Sequence, residues 1–427
     1  MDRQTKGIDL AGLLVFLTAA GIGTMQLVQT LGLGLSAFVT MLAIYALALL
    51  LYAAAWRCRM PFLAALDAVG FFILQSTMNY AAYDANLNTL FLPQAILATA
   101  WAVLGTAWLL ISRRKPRKPG AFAVLFGLTA AIAGTFAVVW GVNVAADRNW
   151  TGHAKHTLWA VPAKFDTGEI AEAGTVEELV YETKAYATDR RAVKKRALVY
   201  LPYGYDETQR YNILYLMHGT GDDENYWLQK NPYNKTMLDR MIASGEIAPL
   251  IVVTPTFYVE NDCADDLDQL TFSFRDELRN DLMPAVESKY ATYAASIDDA
   301  GFAGSRDHRA FAGLSRGSVT TTHSAFCGSL DYFSYFGMFS AFRTTEEYLR
   351  ETIQSGAFRE LPIRYLYMTT GNFDFAAPAQ YAGYRTLTDA EPRLAYGENT
   401  LFDTFPMRYH SMGNWHLALY NCLQKLF

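Results

Sequence analysis

The chain has 427 residues, which is enough for two domains of ordinary size. Hydrophobic residues make up 52% of it, above the usual share, and the excess lies in about the first 145 residues. The net charge of -5 gives no support to nucleic-acid binding. The one basic run, RRKPRKP, lies between two apolar runs and is predicted to fix the orientation of the chain in a membrane.

The first 145 residues contain five apolar runs of about 20 residues, the length that a helix needs to cross a bilayer. They predict an α-helical membrane domain over 1–145, although Asp67 and other polar residues interrupt the third run. The approximate limits of the runs are Ile8–Val28, Leu33–Ala55, Pro61–Tyr80, Gln94–Ser112 and Ala121–Val142.

Basic residues beside alternate runs predict the orientation of this membrane domain. Arg3 and Lys6 precede the first run, Arg57 and Arg59 follow the second, and the basic run at 113–118 follows the fourth. The other two connections contain no Lys or Arg. By the positive-inside rule, the N-terminus is cytoplasmic and the chain after the fifth run lies outside the cell membrane, so the lipid bilayer is a predicted partner. Because four more apolar runs follow the first, a cleaved signal peptide is a poor interpretation of it.

The cysteines predict neither a metal site nor a fixed disulfide. Cys263, Cys327 and Cys422 fall in the part that is predicted to lie outside, so one disulfide can form, and the sequence leaves its pairing open. No cysteine or histidine spacing is typical of zinc ligands, and we expect neither a metal nor another cofactor.

Residues 146–173 lose the apolar character and are predicted to be a linker, and 174–427 to be a globular domain. Strand-like and helical stretches alternate in this domain, which predicts an α/β fold with a mostly parallel sheet and an antiparallel edge. The predicted strands are 176–186, 196–201, 211–217, 249–254, 310–314, 332–339 and 363–368, and the clearest helices are 274–290 and 415–426.

The segment Gly313-Leu314-Ser315-Arg316-Gly317 lies between a predicted buried strand and a predicted helix. This is the pattern of a nucleophile elbow, in which flanking glycines allow a sharp turn that exposes the serine hydroxyl above the sheet. Ser315 is therefore the candidate nucleophile.

A small-residue loop, HGTGDD, follows the strand that ends at Met217. Backbone N–H groups near Gly219 and Thr220, with that of Arg316, are the candidate oxyanion hole, and His218 is expected to shape the loop. Glycines after a strand are also ordinary turn residues, so this prediction depends on the elbow.

The candidate acid and base come later in the chain. Asp374 follows the strand that ends at Met368, and Asp403 is its main competitor. In this fold the base follows the acid, which leaves His410 and His416. His410 is favoured because it lies in the loop before the final helix.

These motifs together make residues 174–427 resemble carbohydrate esterase family 1, the esterase D type that contains feruloyl and acetylxylan esterases. The resemblance implies an α/β-hydrolase fold, with Ser315 as nucleophile, Asp374 as acid and His410 as base. Three residues differ from the family pattern, namely Thr220, Ser318 and Tyr409, and each narrows or stiffens the pocket. The segments that carry the resemblance are ALVYLPYGYD, YNILYLMHGTGDDENYW, FRDELRNDLMPAVESKY, FAGLSRGS, TTGNFD and HSMGNWHLALYNCL.

The sequence predicts a membrane-anchored serine esterase that acts on a small-molecule or glycan ester. Tyr226, Trp227 and Trp415 are candidates for the acyl or sugar pocket, although core packing would also explain such aromatics. Two alternatives stay open: an acyltransferase, similar to the mycolyltransferases, that serves a cell-envelope acceptor, and a sensor or binding module without catalysis. Acyl group, alcohol and oligomeric state are left open by the sequence.

Overall fold

The computed structural model describes residues 157–158, 161–166, 170–259, 266–371, 374–405, 408 and 410–427. The five apolar runs lie outside these residues, so the membrane domain stays a prediction. In the described part of the chain, no helix combines the length and the apolar character needed to cross a bilayer.

An eight-stranded sheet forms the framework of the C-terminal domain, in the order β1-β2-β4-β3-β5-β6-β7-β8. Strands β3 to β7 pair in parallel, whereas β1 and β2 form an antiparallel hairpin, and β2 also pairs antiparallel with β4. The mostly parallel α/β sheet with an antiparallel edge is thus confirmed. The strands are β1 (Thr175–Lys184), β2 (Ala192–Leu201), β3 (Asn212–Met217), β4 (Leu250–Thr254), β5 (Arg309–Leu314), β6 (Tyr335–Phe339), β7 (Tyr365–Gly371) and β8 (Thr400–Phe405).

The strand sequences explain their places in the sheet. Every residue of β4 and β5 is buried, as expected for parallel strands that are covered on both faces. Strand β1 instead shows exposed positions along its length, with buried residues alternating in its second half, which is typical of an edge strand with one face toward water.

The helical regions predicted at 274–290 and 415–426 are present with different ends, and the chain forms further helices that were not predicted. The α-helices are α1 (Ala163–Asp166), α2 (Tyr233–Ala243), α3 (Leu267–Glu277), α4 (Met283–Glu287), α5 (Asp299–Gly304), α6 (Arg316–Thr320), α7 (Glu346–Ile353), α8 (Ala377–Ala390) and α9 (Met412–Leu423). Short π-helical turns are present at Tyr226–Lys230, Leu278–Leu282 and Thr321–Phe326. Helix α9 begins three residues before the predicted start, so His416 lies inside it.

A buried ion pair anchors the strand that leads to the elbow. Arg309, the first residue of β5, is bidentate to Glu287, with Nε–Oε1 and Nη2–Oε2 distances of 2.8 and 2.9 Å. Its guanidinium also donates to the carbonyl oxygens of Phe302 and Tyr332. Since both charges are fully buried, these added hydrogen bonds offset the loss of hydration.

Two thiols that the sequence left open to pairing are separate. Cys327 and Cys422 are both buried and are not bonded to each other, and burial raises the pKa of the Cys327 thiol to about 12. Cys263 lies outside the described residues.

Contacts divide the described chain into two units. Of the described residues, 371, 374–378, 408 and 410 group apart from the rest of the C-terminal domain, which forms the larger unit.

Candidate active site

Ser315 occupies a strained turn between β5 and α6. Its φ and ψ are 49° and −120°, a region that a residue with a side chain seldom adopts. Such strain persists only where the surroundings hold it, and here the Ser315 N–H donates to the carbonyl oxygen of Phe339 at 2.8 Å. The side chain is partly exposed. The predicted elbow geometry is therefore present at this serine.

Close backbone packing explains the two glycines of the elbow. A Cβ at Gly313 would lie 2.4 Å from the carbonyl carbon and oxygen of Gly317. A Cβ at Gly317 would lie 2.5 Å from the carbonyl oxygens of Met217 and His218. The turn can thus form only if both positions lack a side chain.

The loop after β3 lies directly against the nucleophile candidate. A Cβ built on Gly219 would be 3.2 Å from the Cβ of Ser315 and 2.7 Å from Cδ1 of Leu314. Thr220, the next residue, is exposed. The structure therefore brings the predicted oxyanion loop and the elbow together.

His218 holds this loop from beneath. Its Nδ1 lies 2.7 Å from the carbonyl oxygen of Gly219, and its Nε2 lies 2.7 Å from Oγ1 of Thr256. The ring stacks on Phe257 and on Tyr258 at centroid distances of 4.7 and 5.8 Å. Burial lowers the pKa of His218 to about 4, so the imidazole is neutral near pH 7. Because a carbonyl oxygen only accepts, Nδ1 carries the proton and Nε2 accepts from the Thr256 hydroxyl.

Arg316 is the first residue of α6, where backbone N–H groups have no carbonyl one turn earlier in the helix. Its guanidinium pairs with Asp268, which also pairs with Nη2 of Arg343 at 2.9 Å. The guanidinium of Arg316 is thus engaged by Asp268 of α3, and its backbone N–H is the candidate donor to an oxyanion at the elbow.

Asp374 and His410 form a pair in the smaller unit. Asp374 is fully buried, and its Oδ1 lies 2.8 Å from Nδ1 of His410. The same oxygen accepts from the N–H of Ala376 at 2.8 Å. At the end of β7, a Cβ on Gly371 would lie 2.2 Å from the carbonyl oxygen of Arg408, so the segment that carries His410 packs tightly on the strand end.

The competing acid and base have other contacts. Asp403 is buried and accepts from the Tyr367 hydroxyl at 2.7 Å. His416 is buried in α9, with its Nδ1 2.6 Å from Oδ1 of Asn234. The pair that the structure forms is therefore Asp374 with His410. Ser315 belongs to the larger unit, and the convergence of all three side chains stays a prediction.

The three aromatic candidates for substrate binding pack together, with Tyr226 at 6.4 Å from both Trp227 and Trp415 between ring centroids. Trp227 is fully buried, and its indole N–H donates to the carbonyl oxygen of Met217. It is a core residue and offers no surface to a substrate. Trp415 is also buried, whereas Tyr226 is partly exposed.

One aromatic was missed by the sequence reasoning. The Phe375 ring lies 4.2 Å from the His410 ring between centroids, and its side chain is exposed. Its position directly after Asp374, the candidate acid, could have indicated that it lies near the site. Among the described residues, no group of three or more His, Cys, Asp or Glu side chains is arranged to hold a metal ion.

Comparison with known sequences finds an esterase family and two longer xylanases, one of which is also a feruloyl esterase. The family described as "Putative esterase" matches residues 192–360. Endo-1,4-beta-xylanase Y of Acetivibrio thermocellus is 47% identical over 138 residues, which is 32% of this chain and 12% of that protein. An endo-1,4-beta-xylanase/feruloyl esterase of Xylanibacter ruminicola is 33% identical over 131 residues, 29% of this chain and 16% of that protein. The chain thus spans only a small part of these longer relatives.

Comparison with solved structures gives broader coverage. A mutant of the feruloyl esterase module from Clostridium thermocellum, complexed with sinapinate, is 32% identical. The match covers 63% of this chain and 93% of that module, with a TM-score of 0.53. A ferulic acid esterase from the fungus Anaeromyces mucronatus, at 20% identity and a TM-score of 0.50, shares the fold, and that match covers 62% of this chain and 96% of the fungal enzyme.

Proposed function

Because the chain belongs to the esterase family that includes these feruloyl esterases, we propose that it hydrolyses carboxylic esters on carbohydrate, with a feruloyl or acetyl group as the acyl part. The observation that carries this proposal is the strained elbow at Ser315, against which the Gly219 loop packs. Among carboxylic esters, we propose a glycan ester as the substrate because one relative is a xylanase/feruloyl esterase.

The proposed mechanism uses Ser315, His410 and Asp374. Nδ1 of His410 faces Asp374, which leaves Nε2 to take the proton from the Ser315 hydroxyl as the serine oxygen attacks the ester carbonyl. The imidazolium gives this proton to the departing alcohol, and an acyl-enzyme remains. Water, deprotonated by His410, then attacks the acyl-enzyme and releases the acid and the free serine.

The contacts of His218 support a role for the backbone of Thr220. In a planar trans peptide, the C=O of Gly219 and the N–H of Thr220 point in opposite directions. Since the Gly219 carbonyl accepts from the buried His218 ring, the Thr220 N–H faces away from that ring. This N–H and that of Arg316 are the proposed donors to the tetrahedral oxyanion.

Ser315→Ala tests the function. We expect the purified chain to hydrolyse methyl ferulate and to react with a fluorophosphonate at Ser315, and the variant to lose both reactions, with a rate loss of several orders of magnitude. Ser273→Ala, which changes a partly exposed serine on α3, is the matched control and should keep both. A chain that neither hydrolyses esters nor takes the label would be a module without catalysis.

Product analysis separates hydrolysis from transfer. With a sugar or lipid alcohol present beside the donor ester, mass spectrometry should find mainly free acid. Transfer to the alcohol that outpaces release of acid would favour the acyltransferase alternative.

We propose further that the esterase domain is displayed outside the cell membrane, carried by a multi-pass N-terminal domain. The alternating basic residues beside the apolar runs support this orientation.

A further inference from the structure

Phe375 is an exposed aromatic side chain beside the imidazole of His410. Its side chain is 63% exposed, yet its ring packs on the His410 ring at 4.2 Å between centroids, with an interplanar angle of 39°. A single exposed apolar residue is ordinary on a protein surface. The contact with the proposed base distinguishes this one.

The backbone around Phe375 is fixed by three hydrogen bonds. The N–H of Asp374 donates to the Gly371 carbonyl at 3.1 Å, and the N–H of Ala377 donates to the Asp374 carbonyl at 3.0 Å. The N–H of Ala376 donates to the Asp374 carboxylate at 2.8 Å. The buried carboxylate and the exposed ring are thus neighbours in one turn, and the turn directs the phenyl ring outward while Asp374 stays inside.

The proposed mechanism defines which part of the substrate lies near this ring. The imidazolium of His410 gives its proton to the oxygen of the departing alcohol, so the alcohol lies beside the imidazole when the ester bond breaks. A phenyl ring has no donor or acceptor of its own, and it binds by apolar area and by its negative face. The C–H face of a sugar ring presents a matching surface, whereas a methyl alcohol is too small to cover the phenyl ring.

We propose that Phe375 is the platform on which the sugar ring of the leaving alcohol rests. This inference depends on the proposed function, because it takes the alcohol side of the ester to be a glycan. It makes Phe375 a substrate-binding residue that selects for glycan esters over esters of small alcohols.

Two feruloyl esters that differ only in the alcohol test this role. One is methyl ferulate, and the other is a feruloyl ester of an arabinose-substituted xylo-oligosaccharide. In Phe375→Ala, we expect the ratio of kcat/KM for the oligosaccharide ester to that for methyl ferulate to fall about five- to tenfold, mainly through KM. Phe375→Tyr keeps the ring and should restore the ratio.

Tyr203→Ala is the matched control. Tyr203 is an exposed aromatic residue that follows the carboxyl end of β2. Because β2 runs antiparallel to β4, and β4, β3 and β5 are parallel, Tyr203 lies at the opposite ends of the strands from Ser315. This variant should leave the ratio unchanged. An equal loss on both esters in Phe375→Ala would mean that the ring only positions His410, and no loss on either would remove any role; both results overturn the proposal.

A binding measurement keeps this inference separate from the proposed function. In Ser315→Ala protein, calorimetry should show weaker binding of the oligosaccharide ester when Phe375→Ala is added. A wild-type chain that cleaves neither ester would refute the hydrolytic function. A binding difference in that case would still support the platform, and equal binding would overturn it.

Discussion

His218 couples the stability of the domain to pH at the loop that lies against Ser315. The buried imidazole takes up a proton only near pH 4, whereas in the unfolded chain its pKa is the ordinary 6.5. Between these values the unfolded chain binds a proton that the folded chain excludes. The free energy of unfolding therefore keeps its full His218 contribution above about pH 6.5 and loses it as the pH falls toward 4.

We predict that His218→Asn removes this part of the pH dependence. From pH 6.5 to 4, the free energy of unfolding of the wild-type chain should fall more steeply than that of the variant, by at most about 1.4 kcal/mol per pH unit. Denaturant unfolding of both proteins at a series of pH values measures the difference, and all other titrating groups are common to both. Parallel profiles would show that the pKa of His218 is the same in the folded and the unfolded chain, which would contradict this account.

At the scale of an element, the end of β7 sets the position of the proposed base. Gly371 is the last residue of this strand, and the carbonyl carbon and oxygen of Arg408 would lie 2.5 and 2.2 Å from a Cβ at that position. Both atoms are backbone, so no side-chain rotation relieves the clash. The segment that carries His410 can keep its place only beside a glycine.

We therefore predict that Gly371→Ala displaces His410 from Asp374 and lowers kcat for methyl ferulate about 100-fold, since small misplacements of catalytic groups have effects of this size. The far-UV circular dichroism should stay that of a folded domain. Gly304→Ala is the control, because Gly304 ends α5 with no neighbouring atom within 4 Å of the added Cβ. A Gly371→Ala enzyme with the wild-type kcat would contradict this view of the strand end.

The central strands were predictable because they are short apolar runs, and β5 was placed to within one residue. Helix α8 was missed: Gly383 lies in its middle, and a Cβ there would meet the Phe342 ring at 2.1 Å. That glycine serves a tertiary contact which sequence periodicity does not reveal. Strand β8 was missed as well, because Asp403 interrupts its apolar pattern. This carboxylate is buried in the strand, where it accepts a hydrogen bond from Tyr367 on the neighbouring strand.

The candidate site shows the same division between local and tertiary information. The elbow was predictable because its glycines and serine are adjacent in sequence. Asp374 was favoured over Asp403 from its place after a predicted strand and from the resemblance, whereas the hydrogen bond that each carboxylate makes with a side chain 36 residues away belongs to the folded chain. Phe375 was missed because exposure beside another ring is a property of the folded chain.

At the scale of the whole molecule, the matches to esterases and the apolar runs lie in different parts of the chain. The matched feruloyl esterase module covers 63% of this chain, and the predicted membrane runs lie in the first 145 residues. An esterase held at a membrane surface would act on polymers near the cell, and its products would be released close to that surface. The predicted orientation of the N-terminal domain would therefore decide which substrates the site can meet.

We predict that Ser315 is labelled from outside the cell membrane and that Cys58 is not. A membrane-impermeant fluorophosphonate should label intact spheroplasts that contain the full chain, and Ser315→Ala should abolish this label. An impermeant maleimide should reach Cys58, which follows the second apolar run, only after lysis, with Cys58→Ser as the control. Cys327 and Cys422 should contribute little, because both thiols are buried and burial raises their pKa values. Labelling of Ser315 only after lysis would place the esterase domain in the cytoplasm and reverse the proposed orientation.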